Sequence, residues 1–442
     1  MRGWWPPTGD GAGRRAPGSG WRGSAGGTSR HTSFAACVAA ISRDGPGWPE
    51  VMTSSVGPNS HAPPRAPLSV CLDDSPVLGG LSRGIRDLSA AVGGRILSLD
   101  SGRLPPATDD AACNLTRLRG GRDPLAAGHL RLARRTKAVL EEEIADSDLV
   151  ICHSLYRAHL PFIRRVCRRR GIRYWVVAHG MLDPWVVGRR PAWKRAWLEL
   201  HGRPCLADAD RVVFSTEAER RKASAWCDTS NAAVIPWPVE PPRIEDREAC
   251  RAEWRDRLHV PADARILLWL SRYDSLKRPG HTAAVFAAAR RPGWQLVMAG
   301  YEGDEPRAAV ARLARLRCGD AVHVLGPIEG EEKRRLLAAS DAFISLSWRE
   351  NFGYALADAV ASGLCLVAAP DHDLTLDMPH ACRRWVAADH TLGAAVEKLD
   401  ALLANESGTL HAVGAVGREW VRESLSPQRF RGAVRAAAQK PW

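Results

Sequence analysis

Short apolar runs alternate with longer stretches of helical character along the chain from Leu68 onward. Each run has the length of a buried strand, and each is followed by a loop and by apolar residues near helical spacing. Such alternation indicates parallel, doubly wound sheets. In the first half of the chain we predict strands at 68–72, 149–152, 174–177 and 211–214, with helices that include 81–92, 130–145 and 193–200.

A second series of the same kind follows the proline-rich segment at 235–244, which is typical of a hinge or linker. Its predicted strands lie at 266–270, 295–299, 322–325, 342–346 and 364–368. We therefore predict an α/β fold with two Rossmann-like, doubly wound parallel-sheet domains that face each other across a cleft. Ligands in such sheets bind outside the carboxyl ends of the strands, so the cleft is the expected site.

The domain boundaries follow from these patterns. Residues 1–66 are rich in Gly, Pro, Ser and Arg without hydrophobic periodicity, which predicts a disordered N-terminal tail. The first domain is expected at 67–238 and the second at 239–425, and 426–442 is expected to be a C-terminal helix that could pack back on the first domain. Because Met52 precedes another polar stretch, the native protein could lack the first 51 residues.

Composition and charge narrow the class of protein. The chain has 442 residues, and its net charge of +13 arises from 62 Lys and Arg against 49 Asp and Glu. This balance favours anionic partners such as nucleotides, nucleic acid or acidic lipid headgroups, without choosing among them. Eleven cysteines without a C-x-x-C pair or a His-Cys cluster predict neither a disulfide framework nor a zinc site, and they fit a reducing, cytoplasmic setting. No apolar run approaches the roughly 20 residues of a membrane span.

The segment after the fourth predicted strand of the second series carries the most specific chemistry. Glu350 is followed by Asn351, Phe352 and Gly353 at the predicted start of a helix, and Asp358 lies within that helix. The first amides and the dipole of a helix can hold phosphate. One carboxylate suits the hydroxyls of a sugar and the other those of a ribose. The pattern therefore predicts a site for a sugar nucleotide.

Two cations follow the first predicted strand of the second series. Arg272 and Lys277 both lie just beyond its carboxyl end, where they could reach into the cleft and neutralise a leaving diphosphate. A lone surface cation is usually only solvated. The Glu350 element on a later strand of the same domain favours the functional interpretation.

With these elements, the chain from about residue 68 to its end resembles the retaining glycosyltransferases of family 4, also called glycosyl transferases group 1, which have the GT-B fold. The resemblance depends on the R-x4-K pair Arg272 and Lys277, and on the E-x7-E element from Glu350 to Asp358, in which Asp replaces the usual second Glu. Further matching segments are Gly79-Gly80, 178–185, 215–219, 234–236, 324–327, 331–333 and 336–337.

The resemblance implies roles for individual residues. Arg272 and Lys277 are expected to clamp the donor diphosphate, and Glu350 to hydrogen-bond the transferred sugar. Asp358 is expected to hold the ribose hydroxyls, and His179 to contact the donor sugar near the reaction centre, so that His179, Glu350, Arg272 and Lys277 form the catalytic set. Backbone groups of the remaining donor-binding residues are expected to approach the sugar and the phosphates, and these residues are Gly79, Gly80, Asn351, Phe352 and Gly353.

The same resemblance implies a reaction. It is transfer of a hexosyl group with retention at the anomeric carbon, by front-face displacement and without a metal or a separate cofactor. The expected donor is a nucleotide sugar, with UDP- or GDP-sugars favoured, and the expected acceptor is a saccharide or a lipid-linked molecule. The pathway would be polysaccharide or glycolipid biosynthesis in the cytoplasm.

Other functions stay open at this point. Because Asp358 and neighbouring motif positions depart from the family pattern, the protein could be a catalytically weak or inactive sugar-nucleotide or polysaccharide-binding protein. A nucleic-acid-binding protein is a more remote alternative, since the basic balance is accompanied by no recognised basic-aromatic module. A nicotinamide dehydrogenase is disfavoured because the first strand, loop and helix lack G-x-G-x-x-G.

Two further features have both a structural and a functional interpretation. His153 follows a predicted strand and could line the cleft or serve only as a hydrogen-bonded structural residue. Basic clusters at 164–170 and 189–195, with Trp185, Trp193 and Trp197 nearby, could dock peripherally on an anionic membrane at its inner face or form an ordinary solvated helix surface.

Overall fold

A computed structural model describes residues 65–99, 115–117, 131–189, 191–243 and 246–439. In these segments the chain forms two parallel sheets packed against helices, which we call the first and second lobes. The predicted tail at 1–66 and the start near Met52 lie almost wholly outside the described residues.

The sheet of the first lobe has seven parallel strands in the order β3-β2-β1-β4-β5-β6-β7. Four of them confirm predicted strands, and the other three, β2, β3 and β7, are short and were not predicted. The strands are β1 Leu68–Cys71, β2 Arg95–Ser98, β3 Leu115–Arg117, β4 Leu149–His153, β5 Arg173–Val177, β6 Arg211–Phe214 and β7 Ala232–Val234.

Helices connect these strands, and their ends follow local rules. The helix before β5 is followed directly by Gly171, whose φ of 67° is in the left-handed region that glycine tolerates best. The helix after β6 is capped by Thr216, whose side chain accepts a hydrogen bond from the N–H of Glu219. The helices are α1 Gly80–Ala91, α2 Arg134–Ala145, α3 His159–Arg170, α4 Pro184–Gly188, α5 Pro191–Trp197, α6 Arg203–Ala207 and α7 Glu217–Ala223, with a π-helical turn at Leu198–Gly202.

The sheet of the second lobe has five parallel strands in the order β10-β9-β8-β11-β12. All five predicted strands of the second series are confirmed to within a residue at each end. They are β8 Arg265–Leu270, β9 Trp294–Ala299, β10 Val322–Leu325, β11 Ala342–Ser345 and β12 Cys365–Ala368. Mostly apolar runs explain this accuracy, since the strands of a parallel sheet covered by helices on both faces are predominantly apolar.

The remaining helices surround this second sheet and extend to the end of the described chain. They are α8 Arg247–Arg257, α9 Pro279–Ala289, α10 Arg307–Cys318, α11 Gly330–Ala339, α12 Tyr354–Ala361, α13 Leu392–Leu403, α14 Ser407–Ser424 and α15 Pro427–Gln439. Short 3-10 turns occur at Pro76–Leu78, Ser275–Lys277, Gly319–Ala321, Asp373–Asp377 and His380–Arg383.

The two lobes belong to one compact unit and share a continuous apolar cluster. Trp175 and Val177 of β5 belong to the same buried cluster as Ile266 and Leu268 of β8. The last helix, α15, contacts α1, and its Phe430 ring lies 6.0 Å from the ring of Trp237. The lobes are therefore held together by packing as well as by the linker.

A buried acid at the start of β11 generates a stability prediction. The Asp341 carboxylate accepts hydrogen bonds from Arg251 Nη1 (2.8 Å), Arg255 Nη2 (3.2 Å) and the N–H of Ile266 (2.8 Å). Because Arg255 is almost fully buried, Asp341→Ala would leave its charge uncompensated, and we expect the free energy of unfolding to fall by about 3–5 kcal/mol.

Denaturant titration measures this loss, and Asp320→Ala is the matched control. Asp320 pairs with Arg315 on the surface, where ion pairs contribute little. Equal effects of the two substitutions would contradict the prediction.

Candidate functional site

A cavity of about 650 Å³ lies between the lobes at the carboxyl ends of both sheets. Its wall includes side chains or backbone of nine of the ten predicted site residues. These are Gly79, Gly80, His179, Arg272, Lys277, Glu350, Asn351, Phe352 and Gly353. Asp358 is the predicted residue that lies outside this wall.

Glu350 and Lys277, which both line the cavity, form an ion pair. Ser347 Oγ also donates to Glu350 Oε1, at 3.1 Å, and the Glu350 N–H donates to the carbonyl of Asp371 at 2.8 Å. Burial raises the pKa of the Glu350 carboxyl, but the Lys277 charge, the nearby His372 and the hydrogen bonds from Lys277 and Ser347 lower it, and the net pKa is below its usual value. The pair therefore keeps an ionised carboxylate beside the cleft.

The segment after Glu350 turns into helix α12. Gly353 precedes the helix with a φ of 70°, a conformation that would strain any side chain. The Phe352 side chain is buried and packs on Tyr354, so only its backbone can meet a ligand. Asn351 reaches the first lobe, where its Nδ2 donates to Ser215 Oγ at 3.4 Å. The first residues of α12 line the cavity, so the N-terminal end of this helix, where amides are free to bind an anion, lies at the cavity wall.

Arg272 follows β8 at the cavity wall and is partly exposed. Its guanidinium pairs with Asp274 at 2.7 Å. This pairing orients a flexible cation at the carboxyl end of the strand, within the same cavity as Lys277.

The Gly79-Gly80 turn places first-lobe backbone directly against the second lobe. A Cβ atom at Gly80 would lie 2.6 Å from Tyr354 Cδ2, closer than atoms can approach. The Tyr354 hydroxyl donates to Asp87 of α1 at 3.2 Å, and the guanidinium of Arg83 lies 4.5 Å from the centre of the Tyr354 ring. Sequence reasoning missed these contacts, since nothing in the sequence pairs α1 with α12.

Asp358 lies behind the cavity and is already engaged. It accepts hydrogen bonds from Arg83 Nη1 at 2.9 Å and Lys333 Nζ at 2.6 Å. Burial raises the pKa of Asp358, but the two cations lower it by more than burial raises it, so the net pKa is below its usual value. Asp358 borders a second cavity of about 700 Å³, which shares Arg83, Gly330 and Lys333 with the first. Its predicted contact with ribose stays a prediction.

His179 faces the second lobe from the loop after β5. Its Nε2 lies 2.9 Å from Nδ1 of His153, and its ring stacks at 5.8 Å from that of Trp237. Burial lowers the pKa of His179 to about 3 and also lowers that of His153, so both rings are neutral at neutral pH. His153 is fully buried and is not part of the cavity wall, which favours its structural interpretation.

A second ion pair joins the lobes on the other side of the cleft. Lys222 of α7 donates to Asp183 at 3.0 Å and to Asp373 of the second lobe at 2.7 Å. Burial raises the pKa of Asp373 to about 6, although Lys222 lowers it. Polar contacts therefore connect the lobes on both sides of the cavity.

The part of the chain that the structure describes contains neither a cluster of metal ligands nor a membrane-spanning helix. There, no group of three or more His, Cys, Asp or Glu side chains is placed to hold a metal ion. No described helix is both long and apolar enough to cross a bilayer. In the basic clusters, Arg164 and Arg168 pair with Asp208, and the Trp197 side chain is buried.

The fold and the cleft define the class of protein, and sequence comparison gives the family. The model for "Glycosyl transferases group 1" matches residues 251–420, and that for "Glycosyl transferase 4-like domain" matches residues 76–238. Together they cover about three quarters of the 442 residues. The chain belongs to the group 1 glycosyltransferases, as the motifs predicted.

Individual relatives are more distant. A D-inositol 3-phosphate glycosyltransferase from Saccharomonospora viridis is 31% identical over 176 residues, which are 37% of this chain and 40% of the relative. The match thus spans about two fifths of that relative's length.

Solved structures confirm the predicted fold. HepE from Anabaena, in complex with UDP and glucose, has a TM-score of 0.67 at 14% identity over 85% of this chain and 99% of its own. Sucrose-phosphate synthase from Thermosynechococcus elongatus has a TM-score of 0.63 at 17% identity, over 85% of this chain and 98% of its own. Two Rossmann-like domains across a cleft are the GT-B fold.

The raised pKa of Asp373 generates a prediction about pH. In the folded protein this carboxyl takes up a proton near pH 6, whereas an unfolded aspartate does so only near pH ~3.9. The resulting stabilisation is present at low pH and is lost as the pH rises through the folded pKa. Lowering the pH from about 7 to about 5 should therefore raise the free energy of unfolding of the wild type relative to Asp373→Asn.

Urea titrations of both proteins at several pH values measure the difference. Asp389→Asn, at an exposed position, is the control and should follow the wild type. Parallel curves for wild type and Asp373→Asn would contradict the prediction.

Proposed function

We propose that the protein is a retaining, metal-independent glycosyltransferase that moves a sugar from a nucleotide-sugar donor to a saccharide or lipid-linked acceptor. The observation that carries this proposal is the ionised Glu350, paired with Lys277 at the start of α12 and facing a cleft whose opposite wall contains His179. The cleft combines a carboxylate for sugar hydroxyls with cations and helix amides for phosphates.

The donor diphosphate would bind between Arg272, Lys277 and the start of α12. Two cations and the positive end of a helix can offset the negative charge that builds up on a leaving nucleoside diphosphate. A UDP- or GDP-sugar is the proposed donor, and the binding of UDP and glucose by the structurally similar HepE supports the class. Side chains would supply the stabilisation that a metal ion provides in other transferases.

The proposed reaction is a front-face displacement. The bond between the anomeric carbon and the diphosphate oxygen breaks, and the acceptor oxygen bonds to that carbon from the same face. The acceptor proton passes to the departing phosphate, so no separate base is needed. Glu350 would orient the sugar through its hydroxyls, and neutral His179 would make a hydrogen bond near the reacting carbon without adding charge.

The engagement of Asp358 favours one alternative. Because Arg83 and Lys333 already hold this carboxylate, ribose binding would require it to exchange or share partners. A sugar-nucleotide-binding protein with weak or absent transfer activity would also have this geometry. Product analysis with candidate acceptors separates the two functions, since only the transferase forms a new glycosidic bond.

The proposal extends to pathway and location. A role in polysaccharide or glycolipid biosynthesis would use a saccharide or lipid-linked acceptor at the cytoplasmic side of a membrane. Nine cysteines in the described part of the chain are free, which suits a reducing compartment.

Donor binding is tested by thermal shift. UDP, GDP and ADP, each with its sugars, are added to the purified full chain, and we expect one nucleotide series to raise the melting temperature. A ligand that binds only the folded state at about 100 times its Kd adds about 2.7 kcal/mol of stability. Absence of a shift with every nucleotide, together with absence of sugar transfer, would contradict the proposal.

Glu350→Gln tests the role of the carboxylate. The amide keeps the shape but removes the charge that pairs with Lys277, so we expect the transfer rate to fall about a hundredfold or more while nucleoside diphosphate affinity changes only a few-fold. Steady-state transfer and calorimetric titration measure the two quantities. Glu397→Gln, on the exposed side of α13, is the matched control, and a wild-type rate for Glu350→Gln would rule out the assigned role.

A further inference from the structure

Two consecutive residues at the cleft have left-handed backbone conformations. The φ angle of His179 is 48° and that of Gly180 is 72°. A residue other than glycine is uncommon in the left-handed region, and such a conformation persists only where surrounding contacts hold it. The position of His179 therefore depends on the contacts that hold this turn.

On the first-lobe side, Glu219 holds the turn. Its Oε1 accepts the Gly180 N–H at 2.6 Å, and its Oε2 accepts both the N–H and the hydroxyl of Ser215 at 2.7 Å. Glu219 is the third residue of α7, a position from which a glutamate ordinarily bonds back to the N–H of the capping residue, here Thr216. Instead, this buried carboxylate connects the ends of the neighbouring strands β5 and β6.

On the second-lobe side, Arg349 holds the same residue. Its Nη1 and Nη2 donate to the Gly180 carbonyl at 3.1 and 3.2 Å. A Cβ atom at Gly180 would lie 2.5 Å from Arg349 Nη2, so a side chain there would displace the guanidinium from its present position. Arg349 directly precedes Glu350 in the chain, and Gly180 directly follows His179. The contact between Arg349 and Gly180 therefore connects the two segments that carry the candidate catalytic residues.

We propose that Glu219 and Arg349 are positioning residues that clamp the Gly180 peptide from opposite lobes and so set His179 against the Glu350 side of the cleft. Glu219 acts within the first lobe. Arg349 acts across the cleft, so it orients His179 only when the lobes are together. This inference rests on the proposed function for its effect on rate, but its geometric content is independent of the reaction.

The geometric content is tested by NMR of the full chain with ring-labelled histidine. The chain has 14 histidines, and the His179 signal is assigned by its loss in His179→Gln. We expect Arg349→Ala and Gly180→Ala to shift this signal. Arg290→Ala is the control, because Arg290 also donates to a backbone carbonyl, that of Cys318, but within the second lobe.

The effect on rate is tested with the same variants. Arg349→Ala should lower kcat about tenfold to a hundredfold, since small misplacements of a positioned group have effects of this size. The Kd for the nucleoside diphosphate identified by thermal shift should change less than about threefold, and Arg349→Lys should restore part of kcat because it keeps one donor and the charge. Glu219→Gln, which presents an amide to N–H donors, should lower kcat in the same way.

The outcomes separate this inference from the proposed function. An unchanged His179 signal in Arg349→Ala would overturn the clamp whatever the activity. If the wild type transfers no sugar but the signal shifts in Arg349→Ala and not in Arg290→Ala, the clamp stands and the proposed function fails. Equal loss of kcat in Arg349→Ala and Arg290→Ala would overturn the clamp's role in the reaction.

Discussion

The ion pair between Lys277 and Glu350 is the interaction on which the cleft depends. A carboxylate buried near the end of a strand would otherwise take up a proton more readily, because burial disfavours its charged form. Strands β8 and β11 are neighbours, so the turns that follow them bring the lysine to the acid. The pair keeps a negative and a positive side chain in direct contact at the wall of the cavity, and these are the two charges that the proposed reaction requires.

The first lobe contributes to this cleft mainly through backbone and buried polar groups. Gly80 packs on Tyr354, and the Gly180 peptide is held between Glu219 and Arg349. Both glycines allow the lobes to approach where a side chain would collide. Charged contacts on either side of the cavity then join the lobes, so any relative motion of the lobes in the proposed reaction must break or remake buried ion pairs, which have large effects on stability.

The local pattern predicted some elements well and others poorly. The five strands of the second sheet are mostly apolar runs of four to six residues, and their positions agree with the prediction. Strand β2 was missed because only two of its four residues, Ile96 and Leu97, are apolar, and the edge strands β3 and β7 have only three residues each. In the site, the sequence identified Arg272, Lys277 and Glu350, because each lies in a short motif just beyond the end of a predicted strand of the second domain.

By itself, the sequence determined the two-sheet fold, the family and nine of the residues that line the cavity, since apolar periodicity and short motifs are local properties of the chain. Only the tertiary structure decided which groups pair with the charged and polar groups of the site. Arg83 meets Asp358 across 275 residues of sequence, and the Arg349 contact with Gly180 crosses 169. Burial makes such pairing necessary because an isolated charge is costly away from water, but the choice of partner depends on how the two lobes pack.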